Sequence, residues 1–516
     1  MAVNPGAAYQ PYADERYIGV EASFELIDVD AATDAQATAD PELWFSNLQQ
    51  THDKIVSMSN RIATIEPDEW RLNGGYVCVK MEDNGEVGYW SQAVSDASGN
   101  VDVTLTFTFS IPQSSRAFTV VFDDSTGNYC TDFSLTAFAA DGTQMATQAI
   151  TGNDQPIIIV DMATDGYSSL VLKCTKTNKP SRCVRICEVV FGYLRIFDDD
   201  DIASMSVKYQ STLDAQSMPS NMLTLTLDNT DRRYNIINPT GIYKYLQKGQ
   251  GLNVSIFING ERVQMGRFYF ETAKSDDNSM TVQITAYDRF YSLDSSECNI
   301  GQSGTWTVSD AVAAVLADAG LSVLTEIPTD VQARVIGRAI PQGTSHREAL
   351  RMIAQAAKCV CFFNRQDAIQ FVHPGQSLSE QSTDELTTDT MSDYPGITDT
   401  GLINAVEITV RDEYAENSDD VIYTAENIAA DEDRHALSIQ NPLVPGQDVA
   451  DWLLQISQYR IQYDVNERGN PARELHDTVT IDDIYGVNKT AQVIEQTFSV
   501  GTGLDGQVVA LTNQVQ

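Results

Sequence analysis

Basic residues, histidines and catalytic signatures are all scarce in this chain of 516 residues. Against 72 Asp and Glu stand only 33 Lys and Arg, a formal net charge of −39. Wrapping duplex DNA through its phosphates needs clustered cations, so that class of function is excluded. The plain reading of the charge is solubility. No apolar run approaches the ~20 residues that a membrane-spanning helix needs. The first residues, MAVNPGAAYQPYADERY, have neither the charged start nor the apolar core of a secretory signal. None of the eight cysteines (Cys78, Cys130, Cys174, Cys183, Cys187, Cys298, Cys359, Cys361) falls in a Cys-x-x-Cys pair. Cys359 and Cys361, on either side of Val360, read as buried free thiols of a chain made in a reducing cytoplasm.

The five histidines (His52, His346, His373, His435, His476) are scattered, with no His-Glu-x-x-His. His346 opens a predicted helix, where an exposed polar role is expected. Nucleophile elbows, Gly-x-Gly-x-x-Gly turns and phosphate loops are absent as well. With 72 carboxylates, an acid–base pair can be drawn anywhere by chance, so none is assigned. The sequence therefore names no catalytic residue, no cofactor-binding residue, no metal ligand and no cofactor, and a non-enzyme is expected.

What the chain does have is β texture, and 42% hydrophobic residues rule out a largely disordered chain. YIGVEASFELIDVD alternates as a strand near the N-terminus. Residues 63–194 carry VDVTLTFTFSI, AFTVVFDD, DFSLTAFAADG, PIIIVDM, SSLVLKCTK and CVRICEVVFGYLRIF, punctuated by turns and without helices between them. That spacing predicts an antiparallel β-sandwich. Beyond it, Leu223, Leu225 and Leu227 alternate with threonines and stop at Asp228-Asn229, a turn that satisfies its own backbone. Asn259-Gly260 predicts a two-residue hairpin.

Helices are predicted in VSDAVAAVLADAGL, with Val312, Val315, Leu316 and Ala319 on one face and Gly320 as the stop. A second is predicted after Ser345, capped with Glu348 and striped by Leu350, Ile353 and Ala357, before a hairpin at NRQDA. A third, DVADWLLQISQYRIQYDV, places Val449, Trp452, Leu453, Ile456 and Tyr459 on one face.

One loop, FDDSTGNYCTDF, has binding character. Asp123, Asp124 and Asn128 offer oxygens to a cation or to sugar hydroxyls, and Trp90 and Tyr129 offer stacking faces. A solvated turn and ordinary buried aromatics are the alternatives.

Read in order, SMPSNMLTLTLDNTDRRYN, YLQKGQGLNVSIFI and GRFYFETAKSDDNSMTVQITAYDRFYSLD resemble the first tube-forming domain of bacteriophage tail baseplate hub and tail-associated proteins. The family pattern falls on Asp228-Asn229, Lys248-Gly249 and Tyr287-Asp288 before Leu293. VSDAVAAVLADAGL and HREALRMIAQAAKCVCFFNRQDAIQF are similar to the family's middle domain. ADWLLQISQYRIQYDVNERGNPARELHDTVTIDDIYG is similar to its second tube domain. Within the insertion, IATIEPDEWRLNG and GYWSQAVSDASGN resemble a galactose-binding-like sandwich.

The resemblance implies a predominantly β fold with α+β parts. Residues 14–62 and 195–300 would form a discontinuous first barrel-like tube domain, and 63–194 the inserted sandwich. Residues 301–400 would be a small α/β middle domain and 401–516 the second barrel-like tube domain. It implies a structural homotrimer at the virion tail tip, assembled in the host cytoplasm. Its partners would be a distal tail or tube protein and a spike, fibre or tape-measure protein. DNA would pass through the lumen without specific binding, and the sandwich would contact a host surface glycan through Trp90, Asp123, Asp124, Asn128 and Tyr129. A cell-wall glycan-binding protein and a glycan-cleaving tail enzyme are the competing classes.

Overall fold

The computed structural model describes residues 9–27, 29–43, 46–52, 66–67, 88–115, 117–123, 126–232, 234–235, 237, 248–276, 278–375, 384–414, 419–430, 432–482, 484 and 489–513. The chain forms two compact units. A main unit contains Met1–Ser23 and Ile196–Gln516, and Phe24–Arg195 forms the second. The chain passes from one to the other along the strand Ile18–Ile27 and returns along Gly192–Phe197.

Phe24–Arg195 is a β-sandwich. One sheet runs Gln36–Ala39, Asn100–Ser115, Thr164–Thr177, Cys130–Phe138, Gln144–Ile150. The other runs Tyr89–Val94, Cys183–Val190, Phe118–Phe122, Ile157–Val160. Alternation sends Val103, Leu105 and Phe107 from one sheet, and Phe118, Val120 and Phe122 from the other, into a shared core. Its aromatics meet edge to face, Phe107 with Phe191 at 5.3 Å and Phe122 with Phe133 at 5.4 Å. The boundary expected at 62/63 lies at 23/24 instead. Gln36–Ala39 pairs with Leu105–Thr108, which commits that segment to the sandwich.

In the main unit a long sheet runs Gly251–Ile258, Glu261–Asp276, Thr281–Tyr287, Met222–Asp228, Ile202–Gln210, Lys489–Val500, Leu504–Thr512, Ile461–Glu467, Gly396–Asp399. Leu223, Leu225 and Leu227 are buried as their alternation requires, with the threonines between them half-buried. The seam is the antiparallel pairing of Met205–Gln210 with Glu495–Val500, which joins strands from the two ends of the unit. Barrel-like closure was expected of each half. Among the described residues the strands follow an open path, because each half spends an edge strand on the other.

The turns behave as their sequences dictate. Thr230 N–H donates to Asp228 Oδ1 at 3.0 Å and Tyr234 N–H to the buried Asn229 Oδ1 at 2.9 Å. Asn259 and Gly260 both take positive φ, 53° and 86°, as a type I′ hairpin demands.

The first two predicted helices run Val308–Asp318 and His346–Ala356 and pack on one another. Thr307 caps the first by accepting from Asp310 N–H, and Ser345 caps the second by accepting from Glu348 N–H at 3.2 Å. The Glu348 carboxylate turns to Arg351. The third helix is shorter than its sequence suggests, Gln447–Ile456, and lies against the small sheet of Val421–Glu426, Ala405–Val410 and Ala436–Gln440. Residues Ile461–Glu467 form a strand because Tyr463 and Val465, two apart, fill a core with Val479, Val493 and Val508. No helix among the described residues is long and apolar enough to cross a membrane.

Candidate functional site in the sandwich

The strand Cys183–Val190 carries one cation in a largely apolar run, Arg185, and its side chain is wholly buried. Such a guanidinium must find carboxylates. Glu66 and Asp123 supply them, Asp123 Oδ2 at 2.8 Å from Nη1 and Glu66 Oε2 against Nη2. The flat face of Arg185 lies 3.9 Å above the Trp90 ring, and Nη1 also reaches the Thr126 hydroxyl at 2.7 Å. Burial alone would lower the Arg185 pKa; Glu66 and Asp123 outweigh it and hold the group above its usual value. Glu66 also accepts from Cys183 N–H at 2.7 Å, and burial with that carboxylate nearby pushes the Cys183 thiol up to about 12.

Three of the five expected glycan contacts therefore converge, but inward. Trp90 is 3% exposed and its face is occupied by Arg185. Asp123 is turned to Arg185 and Thr126, closing the loop on itself. Asn128 is buried, and its Nδ2 donates to the Thr126 hydroxyl at 2.7 Å. Tyr129 is half-buried and packs against the sandwich core. Asp124 lies outside the described residues. Sequence reading missed Arg185 and Glu66. The signal was a lone arginine inside CVRICEVV, since an arginine there is tolerated only when paired.

His346, expected to be exposed, is 2% exposed and sits between Ser296 and Asp318. A cleft of ≈ 610 Å³ lies elsewhere in the main unit, lined among others by Asp330, Arg334, Lys358, His373, Trp452 and Tyr459. Behind it Cys359 Sγ lies 3.6 Å from His373 Nδ1, whose Nε2 lies 3.0 Å from Asp330. The order is that of a nucleophile, base and acid, but the electrostatics are opposite. Cys359 is fully buried, and burial pushes its thiol up to about 12, whereas a nucleophilic cysteine needs a lowered pKa.

No protein-family model and no curated protein matches the sequence. Solved structures of similar fold fall in two groups. A tail protein from Neisseria meningitidis MC58 is 11% identical, with 61% of this chain and 94% of that one covered, at a TM-score of 0.44. The 43 kDa tail protein of prophage MuSo2 from Shewanella oneidensis is 14% identical, covering 62% and 96%, at 0.43. In the second group, the family 32 carbohydrate-binding module of NanJ from C. perfringens, solved with galactose, is 11% identical over 33% of this chain and 96% of that one, at 0.21. In fold, the chain is similar to phage tail proteins over about three fifths of its length and to a carbohydrate-binding module over about one third.

Proposed function

We propose that the chain is a structural hub protein of a phage or phage-like tail tip. Three copies close into a ring that continues the tail tube, joins it to a spike, fibre or tape-measure protein and lets DNA pass. The observation that carries this reading is the seam between Ile202–Gln210 and Lys489–Val500. It builds two strand assemblies of one chain into a single sheet, so a trimer presents six such assemblies to a six-fold tube. The ordered resemblance from Asp228-Asn229 to Leu475–Asp477 supports the same assignment. The net charge of −39 suits a lumen that must not hold DNA, because repulsion acts over about 8 Å at physiological salt. Electron microscopy and native mass spectrometry of the purified chain should show three-fold rings. Monomers alone, even with the neighbouring tail protein present, would overturn the proposal.

The sandwich is the host-attachment module in this reading. With Trp90, Asp123 and Asn128 engaged internally, glycan contact falls to the part of Tyr129 that its packing against the core leaves exposed. Joining Ser23 to Ile196 through a short linker should leave rings intact and abolish binding on a glycan array. Tyr129→Ala should weaken that binding while the sandwich stays folded.

A further inference from the structure

Three segments far apart in sequence meet in the main unit. They are the loop after the short helix Arg289–Leu293, the end of helix Val308–Asp318 and the start of helix His346–Ala356. There Cys298 Sγ, a carboxylate oxygen of Asp318 and a ring nitrogen of His346 lie within 4.8 Å of one another. Backbone pairing fixes the arrangement. Cys298 N–H donates to Thr344 O at 2.8 Å, Glu297 bridges to Ser345, and His346 N–H donates to Ser296 O at 3.2 Å. Cys298 and His346 are buried, while Asp318 keeps its side chain about one quarter exposed (26%).

The histidine ring is held as a metal-bound histidine is held. His346 Nδ1 lies 3.0 Å from the Ser296 carbonyl, which can only accept, and 2.9 Å from the Ser296 hydroxyl. When Nδ1 donates to that carbonyl, Nε2 points at Asp318 Oδ2, 3.0 Å away. A neutral imidazole in this tautomer sets a lone pair against a carboxylate oxygen, and the pair is favourable only with a positive charge between them. A divalent cation supplies that charge, and the Cys298 sulfur lies in the same cluster.

We propose that Cys298, Asp318 and His346 form a zinc site. A nitrogen, a thiolate and a carboxylate together suit Zn²⁺ rather than the all-oxygen cations Ca²⁺ and Mg²⁺. Bonds of about 2.0–2.3 Å place tetrahedral donors roughly 3.3–3.7 Å apart, so side-chain shifts of about 1 Å close the site. The fourth position opens to water beside the exposed edge of Asp318. The outer contacts of a metal centre are in place as well: the Ser296 carbonyl orients the ring, and Asn299 N–H donates to Asp318 Oδ2 at 2.9 Å. The row of Cys359, His373 and Asp330 serves as the contrast. There thiol and carboxylate address opposite nitrogens of one ring, so no single ion takes all three. Bound zinc ties the loop at Cys298 to both helices of the middle region.

Full-length chain stripped with a chelator and titrated with Zn²⁺ by calorimetry should bind one ion per chain. Co²⁺ in its place should give d–d bands and a thiolate-to-cobalt charge-transfer band. The melting temperature should rise with free zinc, since the ion binds only the folded chain. Cys298→Ser and His346→Asn should each weaken zinc binding by more than about 100-fold, because even outer partners of a metal cost 10–100-fold. His373→Asn should leave it unchanged. Asp318→Asn, at a partly exposed position, keeps the fold and decides the matter should a buried variant unfold; it should weaken zinc and shift the cobalt spectrum. Absence of stoichiometric binding, or binding and spectra unaltered in Asp318→Asn and in the folded ligand variants, overturns the proposal.

Discussion

Each unit is keyed by one wholly buried arginine, and the two are used differently. In the sandwich, Arg185 is held by Glu66 and Asp123, with Trp90 covering its face. In the main unit, Arg473 is held by Glu467 through both nitrogens, at 2.7 and 3.0 Å, and by Asp384 at 2.7 Å. No ring covers Arg473 face-on among the described contacts; the Tyr12 hydroxyl accepts from it at 2.9 Å and in turn donates to Glu467 at 2.8 Å. Neighbouring contacts run the same way. Tyr9 donates to Asn470, Arg468 to the carbonyls of Tyr12 and Ala13, and Arg16 to the Arg468 carbonyl. Arg185 thus ties its own strand to two other segments of the sandwich, at Glu66 and Asp123, whereas Arg473 staples the N-terminal segment to residues more than 450 positions away. One device joins inner segments of the sandwich in one unit and fastens the N-terminal segment of the chain in the other.

Removing either arginine should have the largest effect, because it leaves two buried carboxylates uncompensated, a cost of about 3–5 kcal/mol. The location separates the two. Arg185→Ala should speed hydrogen exchange through the sandwich strands Cys183–Val190 and Phe118–Phe122 and leave the main unit unchanged. Arg473→Ala should release residues 9–16 to exchange and proteolysis first. Tyr12→Phe, which keeps the guanidinium paired, should do the same at about 1–2 kcal/mol. Release of the N-terminal segment by Arg185→Ala would break the comparison.

An acid step sharpens it next. His476, in the main unit, stacks on Phe362 and lies 2.7 Å from Ser211 Oγ, and burial pushes its pKa down to about 3. The folded chain keeps it neutral while the unfolded chain protonates below about 6.5. Its stabilisation is therefore lost as pH falls through the window from 6.5 towards 3. Asp288 runs the other way. Burial raises its pKa to about 7, so its folded form takes a proton that the unfolded chain refuses until about 4. Stability from Asp288 rises as pH falls from 7 towards 4.

Between pH 7 and 5 each effect amounts to about 2 kcal/mol, at 1.36 kcal/mol per unit, and they oppose. The main unit of the wild-type chain should change little. Asp288→Asn, which keeps a capping side chain, should expose the His476 loss. His476→Asn, tolerated at that residue's φ of 65°, should expose the Asp288 gain. Hydrogen exchange of Ile202–Gln210 at the two pH values reads both; equal slopes in the two variants would refute the assignment.

The local signals were legible because they are local. The leucine alternation at 223–227, the Asn259-Gly260 turn and the Ser345 cap each depend on residues within a few positions. Two edge strands were not. Gln36–Ala39 and Gln144–Ile150 pair through backbone and turn only a few, mostly small apolar side chains (Ala37, Ala39, Ala146, Ile150) to the core, too weak a pattern to read as strands. The helix ending at Ile456 was overread because Ile456, Tyr459 and Tyr463 also fall three and four apart. The arginine clusters were illegible as clusters. Glu66 lies 119 positions from Arg185, and Tyr12 lies 461 from Arg473, and only the fold brings them together. For the candidate glycan contacts, residue type alone did not reveal that Trp90, Asp123 and Asn128 are buried, because that burial depends on the distant Arg185 and Glu66.

The smallest effect belongs to a pair of matching turns, one in each unit. In the sandwich, Asp96 accepts from the Asn100 side-chain amide at 3.0 Å and from Asn100 N–H and Ser98 N–H, both at 2.8 Å, and these bonds hold its carboxyl below the usual range. In the main unit, Asp228 Oδ1 accepts from Thr230 N–H at 3.0 Å, and the adjacent Asn229, 1% exposed, accepts from Tyr234 N–H. Water can replace an exposed carboxylate, so Asp96→Ala and Asp228→Ala should each have only a small effect, confined to the turn. Asn229→Ala leaves a buried N–H that water cannot reach, and should cost about 1–3 kcal/mol. It should also loosen Tyr234, whose hydroxyl donates to Asp201 at 2.8 Å and whose ring packs edge-on to Phe197. The Asp-Asn pair that closes the leucine strand is therefore unequal: the aspartate shapes the turn, and the asparagine anchors it to the core. Equal losses from Asp228→Ala and Asn229→Ala, measured by exchange of the Met222–Asp228 amides, would show that the anchor carries no more than the turn.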